Sequence, residues 1–334
     1  MWIDAGRGLA IVMVVLFHAA NWLSVAGADV GAWIEANYVV STLRMPLFFA
    51  LSGLFARKWV SGPWRRLWDV KLRLYLWVFL VWTVIGSFAF VAGVRMKGEG
   101  SLGTAVVPIF LALGMPRLEL WFIWALALFF VVARLTVKVP VAVQLVVAAL
   151  ASAVALSGWE TASPGWSGAV KYYAFFLVGL HLRDTVLRIG SSQRWGVGIG
   201  AVVLWAAVSV ILWQQNLREV PGLYFLNCVL GVAAGISVAR VLARSQVVRS
   251  MGAKTLPIYL AHTPIIVTMA VVLHLAGVPD GPVMAVLLPP LFVALAVAAA
   301  LKLQAVAEKH GAGFLYAPPD WFFRPAGVAQ RETR

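Results

Sequence analysis

Charge is what this sequence has least of. Only 12% of its 334 residues are charged against 62% that are hydrophobic, and the mean hydropathy is +0.89. Soluble domains carry about 25% charged residues, so the composition excludes an ordinary soluble domain. The single cysteine, Cys228, excludes an intrachain disulfide framework and a multi-cysteine metal centre, and no metal is expected. Acidic residues are also few, 13 against 27 Lys and Arg. The excess of +14 lies in short clusters between apolar runs, not on one long basic surface, so nucleic acid is not an expected partner. There is no internal repeat, no low-complexity tract and no cleavable signal pattern ahead of the first apolar run, which is expected to be retained.

What the sequence has in abundance is apolar runs of membrane-spanning length. A bilayer core of about 30 Å takes about 20 such residues per helix. The runs predict an all-α polytopic membrane protein, surrounded by lipid, with ten spans near 9–26, 38–56, 72–92, 118–135, 139–157, 168–182, 196–214, 222–242, 255–275 and 282–302. The run 104–114 is too short to cross and contains Pro108, which predicts a re-entrant or interfacial segment walled by protein. With this count, loops on one side hold 21 of the 27 basic residues. The other side holds Arg95, Lys97, Arg117 and Arg218 together with seven of the thirteen acidic residues, Asp280 among them. By the positive-inside rule both termini are cytoplasmic, in an inner or plasma membrane. Residues 1–303 form the membrane domain, and 304–334, with Pro318, Pro319 and Pro325, a cytoplasmic juxtamembrane tail.

Ionisable side chains inside spans cost about 2.5–3.5 kcal/mol each on insertion scales and are functional candidates by default. Arg7 and His18 lie eleven residues apart on the first helix, about three turns and about 16 Å, on one face. Such a pair suits a long donor with an anionic head and a reactive far end. Arg7 would bind phosphate through its planar fork of donors and His18 would sit at a thioester. Buried with no acid nearby, the imidazole would be neutral and able to accept a proton. The alternatives are a snorkelling Arg7 paired with Asp4, and an interhelical hydrogen bond for His18. Arg44, directly before Met45-Pro46 and about two turns inside its span, has no topological reason to be there; it is a substrate-binding candidate or half of an ion pair with Glu35 or Glu119. Glu119 and Trp121 are placed at the outer mouth, where Trp121 could stack on a sugar ring, and His262 lies in the inner half of the ninth span, near the thioester or in a structural hydrogen bond. His181, His274 and Lys171 fall near span ends and read as wet, snorkelling side chains.

The stretch Trp2-Ile3-Asp4-Ala5-Gly6-Arg7-Gly8-Leu9-Ala10-Ile11, running on to Phe17-His18, resembles the opening of the integral-membrane acyltransferase 3 family, marked by an arginine, ten residues and a histidine. Further segments resemble that family in the same order. They are Arg44-Met45-Pro46-Leu47-Phe48-Phe49-Ala50-Leu51-Ser52-Gly53-Leu54-Phe55, Leu120-Trp121-Phe122-Ile123, Phe175-Phe176-Leu177-Val178-Gly179 and Leu256-Pro257-Ile258-Tyr259-Leu260-Ala261-His262. The resemblance covers nearly the whole chain. It implies a ten-helix enzyme that uses acyl-CoA, acetyl-CoA first among the donors, at the cytosolic side and acylates sugars or cell-envelope glycans, with no tightly bound cofactor. It also implies that His18 is the catalytic histidine and Arg7 its partner. The family's pair of arginines spaced by two residues near the third helix has no match here. The basic run Arg65, Arg66, Lys71 and Arg73 occupies that region and offers cations to a CoA head, or follows from topology alone. A rival class, a secondary transporter or exporter of a small polar or glycan-related solute, would share the span count and intramembrane charges. It usually shows two related halves, and it leaves the Arg7 to His18 spacing unexplained.

Overall fold

The computed structural model describes residues 2–99, 101–116, 119–192, 194–279 and 281–323. Arg117, Asp280, Arg324, Arg331 and Arg334, counted above among the loop and tail charges, lie outside the described residues. Those described form helices joined by short turns, with no strand. In order they are α1 (Trp2–Ala26), α2 (Gly31–Gly53), the single turns α3 (Arg57–Val60) and α4 (Trp64–Leu67), and a π-helical turn, Trp68–Leu72, that leads into α5 (Arg73–Val94). Then come α6 (Leu102–Leu111), α7 (Trp121–Leu135), α8 (Val141–Leu156), α9 (Pro164–His181) and α10 (Arg183–Ser192). The last five are α11 (Trp195–Gln214), α12 (Leu223–Leu242), α13 (Gln246–Ala253), α14 (Thr255–Ala276) and α15 (Pro282–Lys309). Proline opens α9 and α15, where its missing N–H costs nothing, and the Ser245 side chain caps α13 by accepting from the Val248 N–H.

A helix covers each of the ten predicted runs. Among the described residues, six helices are long and apolar enough to cross a membrane: α1, the run Trp64–Lys97 that contains α5, and α11, α12, α14 and α15. α7 and α8 are apolar but only 15 and 16 residues long. α2 and α9 have the length, 23 and 18 residues, but carry Glu35, Asn37 and Arg44 in one case and Lys171, Tyr172, Tyr173 and His181 in the other. The segment around 104–114 is a short helix, α6, that satisfies its own backbone and packs on α5, with Phe110 outward and exposed instead of walled in.

α1 is the hub, packed against α2, α12, α13, α14 and α15, and half of its apolar window is buried. α8, α11 and α15 form the periphery and turn Val146, Leu150, Val203, Ile211 and Leu287 outward, as a lipid-facing surface requires. Inside lipid no hydrophobic force drives helices together, so close backbone approach through small residues supplies the packing. The α2–α9 crossing depends on it. A Cβ on Gly53 would strike the Phe176 carbonyl oxygen, and one on Gly179 the Ala50 carbonyl oxygen. At the α1–α13 crossing, Gly8 meets the Val248 carbonyl and Gly252 the Asp4 carbonyl in the same way.

The segment after α15 does not hang free. Residues 313–323 fold back along α5, where Arg73 donates from Nε to the Phe322 carbonyl and from Nη2 to the Pro319 carbonyl, both at 2.6 Å. Trp77 and Trp82 donate their indole N–H to the carbonyls of Phe314 and Leu315, and Trp77 meets Trp321 and Phe322 edge to face.

Replacing Gly53 or Gly179 by Leu is expected to lower the detergent melting temperature sharply and cut the monodisperse fraction, since overpacking costs about 1–3 kcal/mol even where side chains can yield and here backbone is struck. Gly196→Leu, with open space around it, should behave as wild type; equal melting of all three variants would contradict the crossing. Arg73→Gln is expected to make the chain beyond Lys309 more susceptible to limited proteolysis, with a stability loss of about 1.5–3 kcal/mol per lost charged hydrogen bond. An unchanged cleavage pattern would contradict the role given to Arg73.

Candidate functional site

The site grows from α1, whose early turns carry Arg7 and whose middle carries His18. His18 Nδ1 stands 4.0 Å from Oε1 of Glu119, and the His18 ring centroid is 5.1 Å from that of His262 on α14. The expectation of a histidine with no acid nearby is therefore corrected, because the turn before α7 brings a carboxylate beside the imidazole. That carboxylate is held in turn. The Tyr259 hydroxyl donates to the Glu119 backbone carbonyl. The Trp22 ring, one turn beyond His18, fills the space over Gly93 on α5.

His262 is fully buried, and its Nδ1 lies 2.6 Å from the Tyr259 carbonyl. A carbonyl only accepts, so Nδ1 carries the proton and Nε2 is left to accept from Thr263 Oγ1 at 3.2 Å. Both ring nitrogens of His262 are thus committed, whereas His18 has no hydrogen bond of comparable length. Of the two, His18 is the ring free to work.

Aromatic rings separate His18 from a cavity on each side. Toward the Arg7 end, a cavity of about 210 Å³ is lined by Arg7, Lys71, Ser52 and Tyr75 together with Phe48, Phe122 and Tyr259. Phe48 and Phe122 stack at 4.5 Å, Phe122 meets Tyr259 at 5.4 Å, and the Tyr259 ring is 5.6 Å from His262. Toward the other end, a cavity of about 360 Å³ is lined by Phe17, Asn37, Arg44, Lys171, Tyr172 and Tyr224. Phe17 stands edge-on to His18 at 5.0 Å, and the Arg44 guanidinium lies 4.4 Å above the Phe17 ring.

Arg44 makes neither of the ion pairs offered as its alternatives. Its Nη1 donates to Asn37 Oδ1 at 3.1 Å and to the Met13 carbonyl at 3.4 Å, while Glu35 is exposed and Glu119 faces His18. α2 runs unbroken through Pro46. Trp121 is packed over Gly168 and stacks on Tyr172, so Tyr172, not Trp121, reaches the cavity. Lys171 pairs with Glu160 at 2.8 Å and, by hydrogen bond and charge, holds that loop carboxyl below the usual carboxylate range. Of the basic run, only Lys71 lines the cavity with Arg7, and the π-helical turn that carries it is of a kind often found at functional sites. Arg65 is exposed beside Asp69, Arg66 lies over Trp59, and Arg73 is committed to the carbonyls of the returning tail. Sequence reasoning passed over Tyr259 and Tyr172 as partners of the site. Tyr259 sits one helical turn before His262 within the segment already singled out, which was a usable signal.

Comparison with known proteins agrees with this architecture. An acyltransferase domain family matches residues 1–303. The chain is 25% identical over 138 residues to the nodulation protein NolL of Mesorhizobium japonicum, covering 39% of this chain and 34% of that protein. It is 28% identical over 88 residues to the inner membrane protein YcfT of Escherichia coli, covering 23% of this chain and 25% of that protein. These matches thus span about a third and a quarter of the relatives' lengths. No solved structure matches. A family match over nine-tenths of the chain, on a helical membrane bundle with a histidine between two cavities, makes this chain a member of the integral-membrane acyltransferase 3 family.

Proposed function

We propose that this protein is an O-acyltransferase of ten spans with both termini in the cytoplasm. It takes a short acyl group, acetyl first, from acyl-CoA at the Arg7 face and passes it to a hydroxyl of a sugar or cell-envelope glycan entering from the opposite face. The observation that carries the reading is His18 beside Glu119, between two cavities of different chemistry. The cavity at Arg7 and Lys71 combines these cations with aromatic walls, which suits an anionic head and a thioester arm. The far cavity mixes tyrosines, asparagines and Arg44, which suits a hydroxylated ring.

In this mechanism His18 takes the proton of the acceptor hydroxyl as its oxygen attacks the thioester carbonyl. Glu119 orients the imidazole and balances the positive charge that develops on it, as a carboxylate does for a histidine base elsewhere. The tetrahedral intermediate collapses, the carbon–sulfur bond breaks, and the imidazolium returns its proton to the CoA thiolate. The ester bond formed replaces the thioester bond lost, so no other reactant is needed. In a relay variant His18 itself attacks, carries the acyl group, and yields it to the acceptor, which fits donor and acceptor sites on opposite sides of one ring. Phe122 and Tyr259 must part from their present contact for a thioester to reach His18 from the Arg7 side.

His18→Ala in nanodiscs is expected to reduce transfer of labelled acetyl from acetyl-CoA by about a hundred- to ten-thousand-fold, with folding intact by melting. Glu119→Gln should lower kcat with little change in KM for the donor. Arg7→Gln and Lys71→Gln should raise the donor KM, whereas Arg65→Gln should leave it near wild type. Transfer that survives His18→Ala, or solute flux in proteoliposomes without any acyl transfer, would overturn the reading, the second outcome in favour of a transporter.

A further inference from the structure

Beside the far cavity lies a larger one, of about 450 Å³, which none of the proposed chemistry uses. The two share Tyr38, Arg218 and Tyr224 among their lining residues, so they are neighbouring cavities. Its lining alternates aromatic and polar groups: Tyr38, Trp213 and Tyr224 with Thr42, Ser209, Glu219 and Asn227. Leu212 is the one aliphatic residue of this lining, which leaves little to match an aliphatic chain. A groove between α7, α8 and α9, lined by valine, leucine and alanine, is the kind of surface that suits one.

The inner end of this compartment holds an incomplete hydrogen-bond network. Trp205 Nε1 donates to Thr42 Oγ1 at 2.8 Å, and Thr42 donates to the Val39 carbonyl at 2.9 Å. Asn227 Nδ2 donates to Ser209 Oγ at 2.7 Å, which leaves the Ser209 hydroxyl proton for Thr42 at 3.4 Å. One Asn227 amide hydrogen is thus used, and Asn227 Oδ1, on a buried side chain, has no partner among the described residues. Turning the amide over does not remove the defect, since Nδ2 would then be unpartnered instead. A buried polar atom left so is destabilising, and a hydroxyl entering the compartment would supply the missing donor.

We infer that this compartment is a second acceptor subsite, which takes the next ring of an acceptor that is at least a disaccharide and receives a ring hydroxyl on Asn227. The ring's C–H face would lie on Trp213 or Tyr38, and Arg218, 5.3 Å above the Tyr224 ring, would sit at the junction between the two rings. The inference rests on the far cavity being where the acceptor binds.

The test is binding, measured without any acyl donor, so that it is independent of catalysis. Methyl β-glucoside, methyl β-cellobioside and the corresponding N-acetylglucosamine glycosides are titrated by tryptophan fluorescence into wild type, His18→Ala, Asn227→Leu and Trp213→Ala. In wild type and His18→Ala, at least one two-ring probe is expected to bind about tenfold more tightly than its one-ring counterpart. That ratio should fall close to one in Asn227→Leu, and in Trp213→Ala, which lies on the rim and does not disturb the core. A ratio near one in wild type, a ratio unchanged in both variants, or no binding of either two-ring probe at millimolar concentration would overturn the subsite. Binding that follows the expected pattern in a protein that transfers no acetyl group would keep the subsite and overturn the acyl-transfer reading instead.

Discussion

A histidine about halfway along the hub helix of a membrane bundle must find polar partners within the protein, because lipid offers none. For His18 that partner is Glu119, and the geometry of the site follows from keeping this carboxylate in place. Glu119 sits in the turn before α7, a position with no helical ladder to fix it. It is secured by Tyr259 from α14, whose hydroxyl donates to its backbone carbonyl. With His18 from α1 beside it, two helices therefore converge on one turn. The same Tyr259 accepts from His262 through its own carbonyl, so the second histidine is part of the scaffold that orients the first.

Packing carries this arrangement outward. Gly53 and Gly179 let α2 and α9 touch backbone to backbone, which places Arg44 and Tyr172 along one cavity, while Gly8 and Gly252 seat α13 under the start of α1 near Arg7. Between the cavities stand rings, Phe17 on one side and Phe122 with Tyr259 on the other. Phe17 and Phe122 can turn about their side-chain bonds while the Tyr259 hydroxyl stays tied to Glu119 and the glycine contacts hold the backbone.

The helical architecture was legible because the length of apolar runs and the turn residues between them are local properties. The Arg7 to His18 spacing was legible because both lie on one helix. What escaped the sequence depended on distant elements meeting. Glu119 was weighed as a partner for Arg44, since opposite charges are expected to pair, yet Arg44 is satisfied by Asn37, by the Met13 carbonyl and by the face of Phe17. Lys71 and Arg73 looked equivalent, but two residues turn about 200° around a helix, and one faces the cavity while the other holds the returning tail. That tail read as a polar appendage from its prolines. Its docking uses backbone carbonyls of residues 314, 315, 319 and 322, which carry no sequence signal at all.

The central claim is that an acyl group crosses from one cavity to the other past His18, and sidedness tests it most directly. Sealed inside-out membrane vesicles receive labelled acetyl-CoA on the outside, the Arg7 face, with a membrane-impermeant acceptor glycan trapped in the lumen. The account predicts acetylated glycan in the lumen, and none when acetyl-CoA is confined to the lumen instead. Product formed only when donor and acceptor share the same side would contradict it.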